Sequence, residues 1–219
     1  MNTPTGSLFV IVAPSGAGKT SLVRALLERD PSIGLSVSYT TRAPRHGEID
    51  GVHYHFIDEA EFDQRREAGD FLEWARVHGN HYATSRPWIE DTIRGGRDLI
   101  LEIDCQGAGQ VRRLFREAVG IFIAPPSLAE LERRLRARAQ DSDSVIAGRM
   151  SAARAELAEA AKFEYVIINQ DFATAVEQLN AVVRASRLRF GRQQARFPGV
   201  FEALGIPARA APPSPPPHR

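Results

Sequence analysis

Four short runs along the chain are predominantly apolar: LFVIVA at 8–13, DLILEI at 98–103, VGIFIA at 119–124 and EYVII at 164–168. Continuous rather than alternating apolarity predicts strands of a parallel sheet covered on both faces. Between the runs the period changes to that of a helix. Residues 19–29 place Leu22, Val23, Leu26 and Leu27 on one side, and Asp30-Pro31 ends the pattern. Residues 127–139 begin at Ser127, a candidate N-cap, and carry Leu128, Leu131 and Leu135 at helical spacing. Residues 173–190 repeat the pattern with Val176, Leu179, Val183 and Phe190. Strands alternating with helices predict an α/β, doubly wound parallel-sheet core.

Two stretches break the alternation. From about Ser36 to Gly96 the chain is rich in aromatics, Thr and Gly, in SVSYTTRAPRHGEIDGVHYHF and FLEWARVHGNHYATS, and reads as a small β-containing insert. The polar run RARAQDSDSVIAGR at 136–149 interrupts helix and reads as a mobile segment between two helices. Beyond Gly205 the sequence IPARAAPPSPPPHR has too few apolar residues for a core, and its prolines favour extended, disordered chain. No internal repeat is visible.

Composition narrows the class without naming it. A chain of 219 residues can bury a sizeable core, and 43% hydrophobic with 25% charged residues is ordinary for a globular protein. A net charge of +1 supplies no global field toward nucleic acid or membrane, so neither partner is predicted. Of 28 basic residues all but Lys19 and Lys162 are arginine, so one of two lysines falls in the loop discussed next. Cys105 is alone and can form no internal disulfide, which fits a reducing compartment; it reads as a packed small residue. No apolar stretch reaches membrane-spanning length and no basic region precedes the short N-terminal apolar run, so a cytoplasmic protein is expected.

The candidate chemistry starts at APSGAGKT, residues 13–20, one glycine short of the phosphate-loop pattern GxxxxGK[ST]. A predicted strand runs into it and an amphipathic helix leaves from Lys19, the context such a loop requires. Gly16 and Gly18 stand where the backbone must turn and approach phosphate oxygens closely. Lys19 would reach the β- and γ-phosphates, the Thr20 hydroxyl would ligate Mg²⁺, and the helix N-terminus would add partial positive charge. Ala13 occupies the last strand position, where a methyl group is tolerable. The loop alone implies a nucleoside triphosphate and leaves ATPase, GTPase, kinase and silent scaffold open.

Arginines suggest the second substrate. Arg42 and Arg45 lie three apart among Thr, Pro and Gly in TTRAPRHGE, a spacing equally compatible with a phosphate fork and with a solvated basic turn. Arg134 and Arg138 share one helix face, with Arg149 beyond the polar break; by themselves they read as the wet face of an amphipathic helix.

Taken together, APSGAGKT, SVSYTTRAPRHGE, FLEWA, GNHYATS, LEIDCQG, APPS and RLRARAQDS resemble guanylate kinase, in order, from about residue 7 to 190. The resemblance implies a P-loop kinase domain over 7–200. Its core would be 7–35, 97–135 and 156–200, with a GMP-binding insert at 36–96, a helical lid at 136–155 and a Pro-rich tail at 205–219. It implies Mg²⁺-dependent phosphoryl transfer from ATP to GMP. ATP would be bound by Ala13, Pro14, Ser15, Gly16, Ala17, Gly18, Lys19, Thr20 and Ser21, with Asn169 near the adenine. GMP would be held by Arg42, Arg45, Glu48, Tyr54 and Tyr82 around its phosphate. Glu73 and Thr84, with Ser38 and Asp104 nearby, would face its base. Glu102 falls close to the metal held by Thr20. Lys19, Arg45, Arg134, Arg138 and Arg149 would meet the transferring phosphoryl group.

The chain departs from the family pattern at Ala83, where glycine is usual, and at Ala137 and Ala139, which stand in place of glycines beside the lid arginine. It departs again at Glu102, where Asp is common. None of these removes a charge the reaction needs. A GMP phosphate is already an anionic nucleophile, so positioning and charge neutralisation suffice without a general base. His46, His53, His55, His78 and His81 are scattered through the insert and are not expected to bind metal. Two rivals would differ in sequence. A silent, peptide-binding relative could dispense with Lys19 and the lid arginines, and a sugar-phosphate kinase would have no use for Glu73.

Overall fold

The computed structural model describes residues 6–77, 79–137 and 142–208. Along the chain, β1 (Leu8–Val12) leads into α1 (Lys19–Arg29) and β2 (Ile33–Leu35). There follow β3 (Tyr39–Thr40), β4 (His55–Phe56), α2 (Glu59–Glu67), β5 (Phe71–Val77), β6 (Asn80–Ser85) and α3 (Arg86–Arg94). Next come β7 (Asp98–Glu102), α4 (Cys105–Leu114), β8 (Val119–Ala124), α5 (Leu128–Ala137) and α6 (Asp143–Ala158). A single 3-10 turn then precedes β9 (Tyr165–Ile168), α7 (Phe172–Arg187), α8 (Phe190–Arg196) and α9 (Pro198–Ala203).

Five strands form a parallel sheet in the order β2-β7-β1-β8-β9. Its central strands β1 and β8 are buried at every residue, which is why their sequences are apolar throughout rather than alternating. Alternate residues still go to different layers. Phe9, Ile11, Ile121 and Ile123 pack with Leu22, Leu26, Leu179 and Val183 of α1 and α7 on one face. Leu8, Val10 and Phe122 pack with Ile89, Ile93 and Val111 of α3 and α4 on the other. The three-layer α/β core expected from the apolar pattern is present.

All four expected strands are present. The edge strand β2 was not expected, because three residues give no readable period. Helix α4 was also unforeseen, since CQGAGQVRRL has only Val111 and Leu114 as large apolar residues. Ser127 does cap α5, accepting from the Glu130 N–H at 3.1 Å. The third expected helix ends at Arg187, and Phe190 instead begins α8.

The second sheet, β4-β3-β6-β5, is the expected β-containing insert, built on a small nucleus of Phe62, Phe71 and Ala83. Helix α3 lies within 36–96 in sequence, yet Ile89 and Ile93 bury against Leu8, Leu99 and Leu101, so it packs with the core sheet. Helix α6 runs unbroken to Ala158, past the expected lid boundary at 155. Arg138, Ala139, His78 and residues 209–219 of the tail lie outside the described residues; residues 205–208 are exposed. No helix among the described residues is long and apolar enough to cross a membrane.

One polar network ties the far end of the sheet together. The buried Asp98 carboxylate accepts from the Ser7 N–H and from Arg187 Nε, both at 2.6 Å, and the same guanidinium reaches Asp30 at 2.6 Å and Ser32 at 3.1 Å. Removing one member of such a network leaves a desolvated charge behind. Asp98→Ala is expected to cost about 3 kcal/mol, read as a lower midpoint in urea unfolding at unchanged slope. A loss below about 1 kcal/mol would assign the pair to the weak class of solvent-screened surface bridges.

Candidate active site

The loop between β1 and α1 has the form its sequence demands. Gly16 and Gly18 adopt φ of 92° and 96°, the left-handed region where a side chain is disfavoured. Space excludes side chains there as well. A Cβ on Gly16 would lie 2.9 Å from Leu135 of α5, and one on Gly18 only 2.4 Å from Asn169 Nδ2. The loop therefore rests on α5 and on Asn169, whose buried amide donates to the Ala17 carbonyl at 2.8 Å. Asn169, expected near an adenine, has its side chain against the loop as a support. No side chain caps α1 at Gly18, which leaves the first-turn N–H groups directed at the loop mouth. Ala13 packs against the core cluster, which explains why its methyl group is accommodated.

Lys19 donates to the Ile103 carbonyl at 3.3 Å, and Thr20 donates its hydroxyl to Glu102 at 2.9 Å. Burial pushes the Lys19 ammonium below the usual lysine range, opposed by the charges of Glu102, Asp104 and Glu156. Glu156, on α6, gives no sequence signal, because its helix mixes small, polar and apolar residues without a distinct stripe. Burial and the charge of Asp104 push its carboxyl up, while Lys19 pulls it down.

The facing wall comes from the insert. Arg42 forks onto both oxygens of Glu48 at 2.9 Å, donates to the Ala43 carbonyl at 2.7 Å, and stands over the rings of Tyr54 and Phe56. Glu48 also accepts from the Arg45 N–H at 2.7 Å, so it closes the 42–48 turn rather than pointing out as a ligand. The Arg42 contact is the main reason its carboxyl is held below the usual range. Arg45 is exposed at the rim. The rings of Tyr54 and Tyr82 meet edge to face, 5.9 Å apart.

Strand pairing places the base-facing pair. Glu73 of β5 stands opposite Thr84 of β6, at an irregularity in the register that re-aims the strand. Thr84 donates its hydroxyl to Glu73 at 2.6 Å, and Glu73 is 4% exposed. Burial pushes the Glu73 carboxyl up to about 7, against the Thr84 bond and with the charge of Asp104 adding to the rise. Thr84 is fully buried, and its hydroxyl supports the Glu73 carboxylate. Asp104 caps α4, accepting from the Gly107 N–H at 2.8 Å.

These groups meet. An open cleft of about 150 Å³ is lined by Ala13, Lys19, Glu102 and Ile103 from the core edge and Ser38, Tyr54, Glu73 and Tyr82 from the insert, with Asp104 between. Ala75 and Val77, on the same face of β5 as Glu73, line it too. The alternation in FLEWARV could have indicated them. Arg134 is not brought in: it donates to Glu130 at 2.8 Å and to the Asn169 carbonyl at 2.9 Å, which binds α5 to the end of β9. Arg149 is half-buried on α6 and is absent from the cleft lining, as is exposed Ser21. Cys105 is partly packed against the core, and burial raises its thiol to about 11, which makes it a poor nucleophile.

The family model described as guanylate kinase matches residues 5–186. The guanylate kinase of Chromobacterium violaceum is 55% identical over 205 residues, covering 94% of this chain and 98% of that protein. That of Bordetella pertussis is 56% identical, covering 95% and 97%, and that of Aromatoleum aromaticum 58%, covering 91% and 98%. Among solved structures, the guanylate kinase of Anaplasma phagocytophilum superposes with a TM-score of 0.76 at 32% identity, covering 94% of this chain and 98% of that one.

The raised carboxyl of Glu73 has a measurable consequence for folding. Its folded-state pKa of about 7 lies above the ordinary carboxyl value of 4.5, so between these values the folded protein holds a proton that the unfolded chain releases. Stability from this group is full below about pH 4.5 and is lost as pH rises through about 7. The loss is on the order of 3 kcal/mol. Urea unfolding at pH 5 and pH 8 should show the parent losing about that much more than Glu73→Gln. Equal losses in the two proteins would mean that Glu73 stays ionised across this range.

Proposed function

The chain belongs to the guanylate kinase family and is an ATP:GMP phosphotransferase; we propose that the cleft between its two sheets is where both nucleotides meet. The observation that carries this reading is that Lys19 and Glu73, which the chain brings from a loop and from a distant strand, line one cavity. ATP phosphates lie in the loop of residues 13–20, against the open N-terminus of α1. Thr20 and Glu102, in contact through hard oxygen donors, suit Mg²⁺ and would hold it, Glu102 through water. Bound with ATP, Mg²⁺ neutralises charge on the β- and γ-phosphate oxygens.

On the acceptor side, Arg42 and Arg45, with the Tyr54 and Tyr82 hydroxyls, hold the GMP phosphate, and Glu48 orients both arginines. That phosphate attacks the γ-phosphorus directly. Lys19 follows the charge as it moves, and Arg138 and Arg149 supply further positive charge from the lid. Arg134, held to Glu130 and the Asn169 carbonyl, anchors the lid arm beside the ATP loop. The Glu73 carboxylate accepts from guanine N1–H and the exocyclic amine while keeping its bond from Thr84. Ser38 and Asp104 complete the wall around the base. Both substrates are small molecules of the cytoplasm, where we place the enzyme.

Adenine presents a lone pair where guanine has N1–H, so in the same pose it would face a buried carboxylate with no donor. Sites of this kind reject mismatched analogues by up to ~10⁴–10⁵ in kcat/KM. A coupled assay of ADP formation is expected to show strong preference for GMP over AMP. IMP should be intermediate, since it keeps N1–H and lacks the amine. Glu73→Gln should weaken GMP use and narrow the gap to IMP. Comparable rates with AMP and GMP would remove Glu73 from the guanine site.

Lys19→Met is expected to lose most turnover with the fold intact by circular dichroism, and Lys19→Arg should not rescue it, because the broader guanidinium does not match a site for a point charge. Turnover within about tenfold of the parent, some 1.4 kcal/mol in barrier, would contradict the role given to Lys19.

A further inference from the structure

Gly107 occupies the first turn of α4 with ordinary helical backbone, outside the set of residues with positive φ. Conformation therefore gives no reason for glycine there, and glycine costs a helix interior roughly 0.5–1 kcal/mol relative to alanine. The reason is space. A Cβ at 107 would lie 2.4 Å from Glu73 Oε2 and 3.1 Å from Glu73 Cδ, with Asp104 Oδ1 at 3.3 Å.

The carboxylate can relieve this contact only by turning its own end. Its other oxygen takes the Thr84 hydroxyl at 2.6 Å. The backbone of the next residue is clamped to the same helix, with the Trp74 N–H donating to Gln110 at 3.2 Å and Gln110 Nε2 donating to the Trp74 carbonyl at 2.7 Å. Relieving the clash therefore means rotating the Glu73 carboxylate itself by about 1 Å to reach ordinary contact distance.

We infer that Gly107 is a specificity-determining positioning residue: its missing side chain makes the seat for the Glu73 carboxylate, and through it helix α4 of the core sets where the insert reads the base. This rests on the assignment of Glu73 to guanine. A displacement of about 1 Å at a recognition group can cost up to about 10²-fold. It should cost the fold little, because the far end of a side chain can turn while the backbone stays.

Gly109, on the same helix, is the matched control, since a Cβ there meets nothing within 4 Å. In the full-length protein, Gly107→Ala is expected to raise the KM for GMP tenfold or more and to narrow the GMP-to-IMP ratio. Turnover at saturating GMP and the KM for ATP should stay within twofold. Gly109→Ala should leave all four within twofold. A second cycle reads the contact without activity. In a Glu73→Ala background Oε2 and Cδ are gone and Asp104 Oδ1, at 3.3 Å, is the one close neighbour left, so Gly107→Ala should then lose most of its melting penalty. Gly107→Ala with GMP KM and base ratio unchanged would overturn the inference, as would a melting penalty that persists in the Glu73→Ala background. Should Glu73→Gln leave GMP use intact, the guanine assignment itself falls and the inference with it. Should Glu73→Gln cripple GMP use while Gly107→Ala does not, only the role of Gly107 falls.

Discussion

A carboxylate as buried as Glu73 is held charged only where donors replace the water it has lost. The protein supplies the Thr84 hydroxyl at 2.6 Å, and the carboxyl still rises to about 7. One donor is too few, and the edge of the proposed guanine would offer the two that are missing. Much of the insert serves to keep that shortage in place. Pairing of β5 with β6 brings Thr84 opposite Glu73, and the irregularity after Phe71 turns the carboxylate toward the cleft. Helix α4 closes the space behind it, at a distance only glycine permits. Desolvation would thus become selectivity: the carboxylate has one donor in the protein, and a base with adjacent donors would satisfy it.

The cations follow the complementary rule. Arg42 Nη2 already reaches both oxygens of Glu48, and Arg134 Nε one oxygen of Glu130. A carboxylate and a phosphate both offer oxygens to a guanidinium, so Glu48 holds Arg42 in a conformation that would suit phosphate. Glu48 does more, because it also accepts from the Arg45 N–H and so fixes the turn carrying both arginines. Lys19 has a softer counter-field, the charges of Glu102, Asp104 and Glu156, in a position where burial already weakens its hold on the proton. Phosphate oxygens arriving in the loop would restore what burial has taken from it.

The cradle and the core were legible because they depend on local rules. Gly16, Gly18 and Lys19 are spaced by backbone geometry, and the strands around them are apolar because both faces are covered. What sequence concealed depends on contacts between distant segments. That the Thr84 hydroxyl turns to Glu73 shows only in the strand register. That the Asn169 amide meets the Ala17 carbonyl shows only in the fold. Helix α3 sits inside the insert by sequence and against the core by packing, since Ile89 and Ile93 find Leu99 and Leu101. Glu156 reaches the field of Lys19 from a helix whose sequence advertises no face.

The departures from the family pattern follow the same physics. Ala83 is fully buried beside Phe62 and Phe71, so its methyl group fills the nucleus of the insert, away from the ligand side. Ala13 likewise packs inward, against the core cluster. Glu102, one methylene longer than the usual Asp, spans the gap to the Thr20 hydroxyl at 2.9 Å. Ala83 and Ala13 have protein partners for their methyl groups, and the Glu102 carboxylate finds the Thr20 hydroxyl. Glycine persists where the neighbour is a functional atom: Gly18 against Asn169 Nδ2, Gly107 against Glu73 Oε2. At those two positions a Cβ would displace the amide that supports the phosphate loop or the carboxylate that reads the base. Tolerance to substitution in this cleft is therefore set by what the new atoms would touch, and distance from the ligand is a poor guide to it.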